Sequence, residues 1–235
     1  MFKKRILPIF IFIFLLMGMA YFSYIPIALF KIPYETFSMP VKVVYNFLCD
    51  IGFMILLFLF YREKITKDFK EYFKNFKDNF EQSFKYYFIG DLIMMASNLI
   101  ITFFIQGANA NNEEAVRSLI DAAPIYMIFS VSIYAPFVEE LIFRHSIKDA
   151  VKSFGNNKFV QGIYIFISGF IFALLHILGQ ASSYLDYVYL IPYMSLGIAF
   201  AALYNKTDNI FSSISMHCLH NTFTIILYFT FGGMI

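Results

Sequence analysis

The sequence predicts an all-α fold, a polytopic bundle of membrane-spanning helices that fills residues 1–235 as a single membrane domain. Three observations predict it. Of the 235 residues, 60% are hydrophobic and only 14% are charged, whereas a soluble domain carries about 25% charge. Mean hydropathy is +0.66. The apolar residues also gather into runs of the roughly 20 residues that a helix needs to cross a bilayer.

The runs follow in order. The first, 6–30, has no charged residue. A small-residue site ends at Ala20, but the run is too long for a signal-peptide core, so it reads as an uncleaved span. The second, 43–61, is interrupted only by Asp50, and the third, 86–105, holds Asp91 and Asn98. The fourth, 125–143, contains Glu139 and Glu140. The fifth, 159–178, ends near His176, and the sixth is 187–204. The seventh, 210–231, holds His217 and His220, with Asp208 placed to cap its start. This gives seven spans, or eight if the first or last run folds back on itself.

Between the second and third runs lies the one sizeable polar segment, 62–85. Phe69, Phe73, Phe76, Phe80 and Phe84 recur at spacings of three and four, flanked by Lys67, Lys70, Lys74 and Lys77. This is the pattern of an amphipathic helix lying on the cytoplasmic leaflet. Basic residues set the orientation: fourteen fall on one side of the spans and three on the other. That asymmetry predicts a cytoplasmic N-terminus in the cell membrane. The net charge of +2 and the lack of a basic motif argue against nucleic acid as a partner. Cys49 and Cys218 sit in apolar runs without a C-x-x-C spacing and read as small core residues. Thirty-two Phe, no Trp and frequent Lys, Asn and Ile suggest an AT-rich, bacterial genome.

Polar groups inside a bilayer are costly and by default mark function. Three clusters stand out: Glu139-Glu140-x-x-x-Arg144, Phe172-x-x-x-His176 and His217-x-x-x-Asn221. Neighbours on a helix point about 100° apart, so the two glutamates face different surroundings. Glu140 is spaced i,i+4 from Arg144, which predicts an ion pair. Glu139 has Phe143 at that spacing and is left free to act as a general base. Pro136 can kink this helix beside the site. Gly155, Asn156 and Asn157 predict a turn between the fourth and fifth spans. At 1.5 Å per residue, Glu139 is about 21 Å from one end of that turn and His176 about 27 Å from the other, nearly one level. His217 and Asn221, one turn apart, could donate hydrogen bonds to a developing oxyanion. Taken singly, each cluster also has a structural reading: a carboxylate–arginine brace, a buried imidazole, a polar stripe between helices.

In this order and on these spans, the three clusters resemble the CPBP family of CAAX proteases and bacteriocin-processing enzymes, also called Abi. The resemblance covers roughly 120–230 as a catalytic core. It departs at His145, where the family usually has glycine. It implies an intramembrane endopeptidase acting on a membrane-associated peptide or protein. Glu139 and His176 would activate a water, His217 and Asn221 would stabilise the oxyanion, and Glu140, Arg144 and Phe172 would support them. Glu139, His176 and His217 could also form a His2Glu zinc site. Family members are described as metal-free glutamate proteases too, and water activation without tightly bound zinc is the expectation here. Two other readings remain open: a non-catalytic bacteriocin-immunity protein of the same fold, and a proton-coupled transporter, although no inverted repeat supports the latter. Substrate identity and oligomeric state are not legible.

Overall fold

The computed structural model describes residues 2–105 and 110–231, and every regular element among them is helical. Among the described residues six helices are long and apolar enough to span a membrane, or seven if one bent pair counts as a single span. The bent pair is the first run. Helix α1 (Phe2–Tyr21) and α2 (Tyr24–Phe30) meet at 72° around Phe22 and Ser23. Then come α3 (Met39–Phe60), α4 (Arg62–Lys74), α5 (Phe76–Phe104) and α6 (Asn111–Ala122). The site-bearing helices are α7 (Pro124–Lys152), α8 (Lys158–Ile177), α9 (Leu190–Thr207) and α10 (Ile210–Phe231).

Several expected boundaries shift. The amphipathic stretch 62–85 is two elements: α4, and the first ten residues of α5, which continues unbroken into the third span because no helix breaker intervenes. The fourth span runs on to Lys152. In its polar end Asp149 and Lys152 stay exposed, but Lys148 is only 3% exposed, its Nζ donating to the Tyr204 carbonyl and Asp208 Oδ1. Asp208 does not cap α10. It ends α9 in a left-handed conformation (φ 50°), which Asp tolerates better than most residues. The first amides of α10 are met instead by Asp68 of α4, which accepts from Ile210 N at 2.7 Å, and by Asn209, which accepts from Phe211 N at 3.0 Å. The turn between α7 and α8 falls where expected. Gly155 supplies a positive φ and the Asn157 side chain caps α8 by accepting from Val160 N.

Helix α7 runs through the middle of the bundle, its Val138, Leu141, Ile142 and Phe143 buried with Leu15 of α1, Phe53 and Leu57 of α3, and Phe172 of α8. On its other flank α8 packs along α9, and α9 along α5. Small residues make these crossings close. A Cβ on Gly169 would lie 2.8 Å from the Ile198 backbone N, and one on Gly90 would lie 2.5 Å from Ala199 Cβ. Within lipid, where burial of apolar area drives nothing, such close backbone approach is a main source of helix association. It also fixes the depth of α8, and with it Phe172 and His176.

Candidate active site

The helix carrying the two glutamates is not a regular α-helix. Residues Ser130–Tyr134 and Glu140–Ser146 are π-helical, on either side of Ala135–Glu139. Such wide turns often occur at functional sites. The first leaves one carbonyl that the sequence cannot serve from within the helix. In the π register Ala135 N donates to the Ser130 carbonyl, so the Val131 carbonyl would need the N–H of residue 136. That residue is Pro136, which has none. Asn221 fills the vacancy, its Nδ2 donating to the Val131 carbonyl at 2.8 Å. A carbonyl only accepts, so this contact fixes which end of the amide faces it.

The second wide turn carries the buried charges. Arg144 Nε donates to Glu140 Oε2 at 3.0 Å, and both side chains are 0% exposed. Arg144 Nη1 donates to Ser168 Oγ at 3.0 Å, and that hydroxyl donates to the Phe143 carbonyl at 2.7 Å. The guanidinium carbon lies 4.7 Å from the Phe172 ring centre and 5.9 Å from that of Phe200, a cation–π cage that replaces lost hydration. The second oxygen of Glu140 is also used. Its Oε1 accepts from His217 Nδ1 at 3.0 Å.

That bond orients His217. With Nδ1 on Glu140, Nε2 points at Glu139, 3.9 Å from Oε2. Glu139 keeps a partly exposed carboxylate, at 18%. The Phe200 ring stacks on His217 at 5.3 Å and holds it in plane. A gap of 3.9 Å is too wide for a direct hydrogen bond, but a water about 2.8 Å from each atom would bridge it.

His176 is placed differently. Its Nδ1 donates to the Phe172 carbonyl at 2.8 Å, so in the neutral ring Nε2 carries the lone pair. Its ring stacks on Tyr193 at 4.9 Å and lies 4.4 Å from the Phe172 ring. Among the described residues it makes no hydrogen bond or ion pair with Glu139. The imidazole facing that carboxylate is His217, and Phe172 stands between the two histidines. A small cavity opens beside His176, lined by Asn111, Asn112, Gln180, Asp186 and Tyr193 among others. Asn111 closes it on one side, with Nδ2 donating to the Gln180 carbonyl and Asp186 Oδ2.

The seven sequence-predicted residues thus fall into two linked groups. Glu139, Glu140, Arg144 and His217 form a continuous polar chain, and Asn221 braces the helix that carries it. Phe172 joins this chain to His176. His145 lies against Tyr61 and bonds Tyr204 Oη at 2.9 Å. Sequence reasoning missed Ser168, Phe200 and Tyr193. Ser168 alone left a signal, being one turn before Phe172 and two before His176 on the same face of α8.

The zinc expectation has a geometric test. Both imidazoles have Nδ1 bound to another group and Nε2 open, as metal-ligating histidines do. Yet among the described residues no three His, Cys, Asp or Glu side chains converge as a metal-binding group. Glu139, His176 and His217 as arranged do not fit a His2Glu centre.

Comparison with known proteins bears on the same segment. Residues 121–223 match the family described as type II CAAX prenyl endopeptidase Rce1-like. The chain is 35% identical over 121 residues to “Putative membrane peptidase YdiL” of Bacillus subtilis, covering 52% of this chain and 44% of that protein. It is 29% identical over 140 residues to “Membrane-embedded CAAX protease MroQ” of Staphylococcus aureus, covering 57% and 52%. The chain spans about half the length of these curated relatives. No solved structure matches it significantly. The resemblance carried by the three motifs therefore extends over the segment that contains them.

Proposed function

We propose that this multi-pass membrane protein is an intramembrane endopeptidase that hydrolyses a peptide bond of a membrane-associated peptide or protein. The observation that carries the reading is the placement of Glu139. Among the described residues it is a carboxylate without a Lys or Arg partner, facing Nε2 of a histidine whose other nitrogen is tied to a buried ion pair. The Rce1-like match and the peptidase names of the relatives support the same reaction class.

In this mechanism a water held between Glu139 and His217 is the nucleophile. Glu139 takes its proton as the oxygen adds to the scissile carbonyl carbon. With Nδ1–H held by Glu140, His217 donates from Nε2 as the imidazolium, and in that form it and the remaining N–H of Asn221 face the carbonyl oxygen as it gains charge. The C–N bond then breaks, and the proton held by Glu139 passes to the leaving amine. His176, across the Phe172 ring, offers its Nε2 as the acceptor for the proton left on the new carboxyl group, which departs as a carboxylate. No step uses a bound metal, and the substrate enters from the bilayer or its surface, with the chain's N-terminus in the cytoplasm.

The test is cleavage of a candidate membrane peptide by the purified wild type, Glu139→Ala and His176→Ala. Loss of product in both variants is expected. Equal processing by all three would overturn the assignment. A chelator should leave wild-type turnover unchanged; inhibition reversed by added zinc would restore the metal reading.

A further inference from the structure

The peptidase chemistry leaves α4 unused, yet α4 touches the site helix. Three stripes follow one another around it at the 100° step of a helix. Asp68 and Tyr72 are buried. Phe69, Phe73 and, just past the break, Phe76 are exposed. Lys70, Lys74 and Lys77, each directly after one of those phenylalanines, are exposed as well.

The element is strung between two spans, α3 ending at Phe60 and α5 beginning at Phe76, so it lies at the membrane edge. Bare aromatic rings beside a row of amines complement acyl chains beneath anionic headgroups.

The buried stripe grips α10. Asp68 accepts from Ile210 N, and its carbonyl accepts from Asn209 Nδ2 at 2.9 Å. The hydroxyls of Tyr72 and Ser215 meet at 2.8 Å. The Phe211 ring lies 5.3 Å from Phe69, the first ring of the exposed stripe. Ser215 is two residues before His217. Whatever seats the phenylalanines and lysines of α4 therefore also seats the start of the helix that carries His217.

We infer that α4 is a sensor of anionic lipid, whose seating on the headgroups fixes the start of α10 and with it the position of His217. Its consequence for turnover rests on the peptidase reading; its effect on α10 does not.

The experiment reconstitutes the full chain in phosphatidylcholine nanodiscs with and without phosphatidylglycerol and follows hydrogen exchange of amides 210–217. In the wild type, anionic lipid should raise their protection by about fivefold, the factor that one engaged lysine contributes. The triple variant Lys70→Gln, Lys74→Gln, Lys77→Gln should lose this response while keeping its neutral-lipid protection. Asp68→Asn with Tyr72→Phe should lose the response while the lysines remain. Equal wild-type protection in both lipids would overturn the proposal and leave a protein as the occupant of the face. A triple variant that responds like the wild type would also overturn it. Protection that responds to lipid in a chain cleaving no peptide would remove the peptidase reading and leave this one standing.

Discussion

His217 donates from Nδ1 to Glu140 at 3.0 Å and presents Nε2 to Glu139 at 3.9 Å, so one imidazole joins the two adjacent glutamates. The glutamates differ because of it: Glu140 is spent on Arg144 and His217, and Glu139 keeps a partly exposed carboxylate facing His217 Nε2.

Glu140→Gln should unfold the protein before it reports on catalysis. It leaves Arg144 fully buried without its counter-charge, a loss of about 3–5 kcal/mol. Thermal unfolding in detergent should show a large drop. Glu139→Gln, at a partly exposed carboxylate, should melt near the wild type and be inactive. A stable but inactive Glu140→Gln protein would reverse the two roles.

His176→Ala should lower turnover by about 10²–10⁴-fold, the usual range for a lost acid–base group, with little change in melting. Among the described residues its one hydrogen bond is to the Phe172 carbonyl on its own helix. Turnover within twofold of the wild type would remove it from the reaction.

Asn221→Ala should cost about 1–3 kcal/mol in addition to any effect on rate, because it orphans the Val131 carbonyl that Pro136 cannot serve. Pro136→Ala in the same chain supplies an N–H, and it should recover part of the stability but not the activity. Melting curves of the single and double variants decide this.

Two glycines of α8 should respond in opposite directions. Gly169→Ala drives a methyl into the backbone of α9 and should destabilise by about 1–3 kcal/mol. Gly162→Ala meets nothing within 4 Å and should be neutral or stabilising by up to about 1 kcal/mol. Parallel unfolding measurements check both.

Asp208 makes stability depend on acid. Burial raises its carboxyl, but the Lys148 hydrogen bond and the charges of Lys148, Lys64 and Lys152 outweigh that and hold it below the ordinary carboxylate value. A folded-state value below the unfolded one gives stabilisation that is complete above the ordinary range and is lost as pH falls through the folded value. Asp208→Asn keeps the left-handed backbone and removes only the charge. Its melting temperature should lie below the wild type at neutral pH and converge on it in acid. A difference that persists unchanged into acid would show that the charge is not the cause.

By itself the sequence determined the helical membrane bundle, the span order and the Glu140–Arg144 pair, because these depend on composition, run length and a spacing within one helix. Those are local properties, and a helix in lipid has no other way to satisfy its backbone. Only the tertiary structure decided which imidazole faces Glu139, that Asn221 braces a carbonyl orphaned by Pro136, and that Asp68 rather than Asp208 meets the start of α10. Each of these joins residues tens of positions apart across helix crossings whose depth is set by glycine contacts such as Gly169 on Ile198. The depth estimate put His176 level with Glu139 on the assumption of a uniform helical rise. No single-helix spacing encodes the side from which α10 brings His217 against the two glutamates.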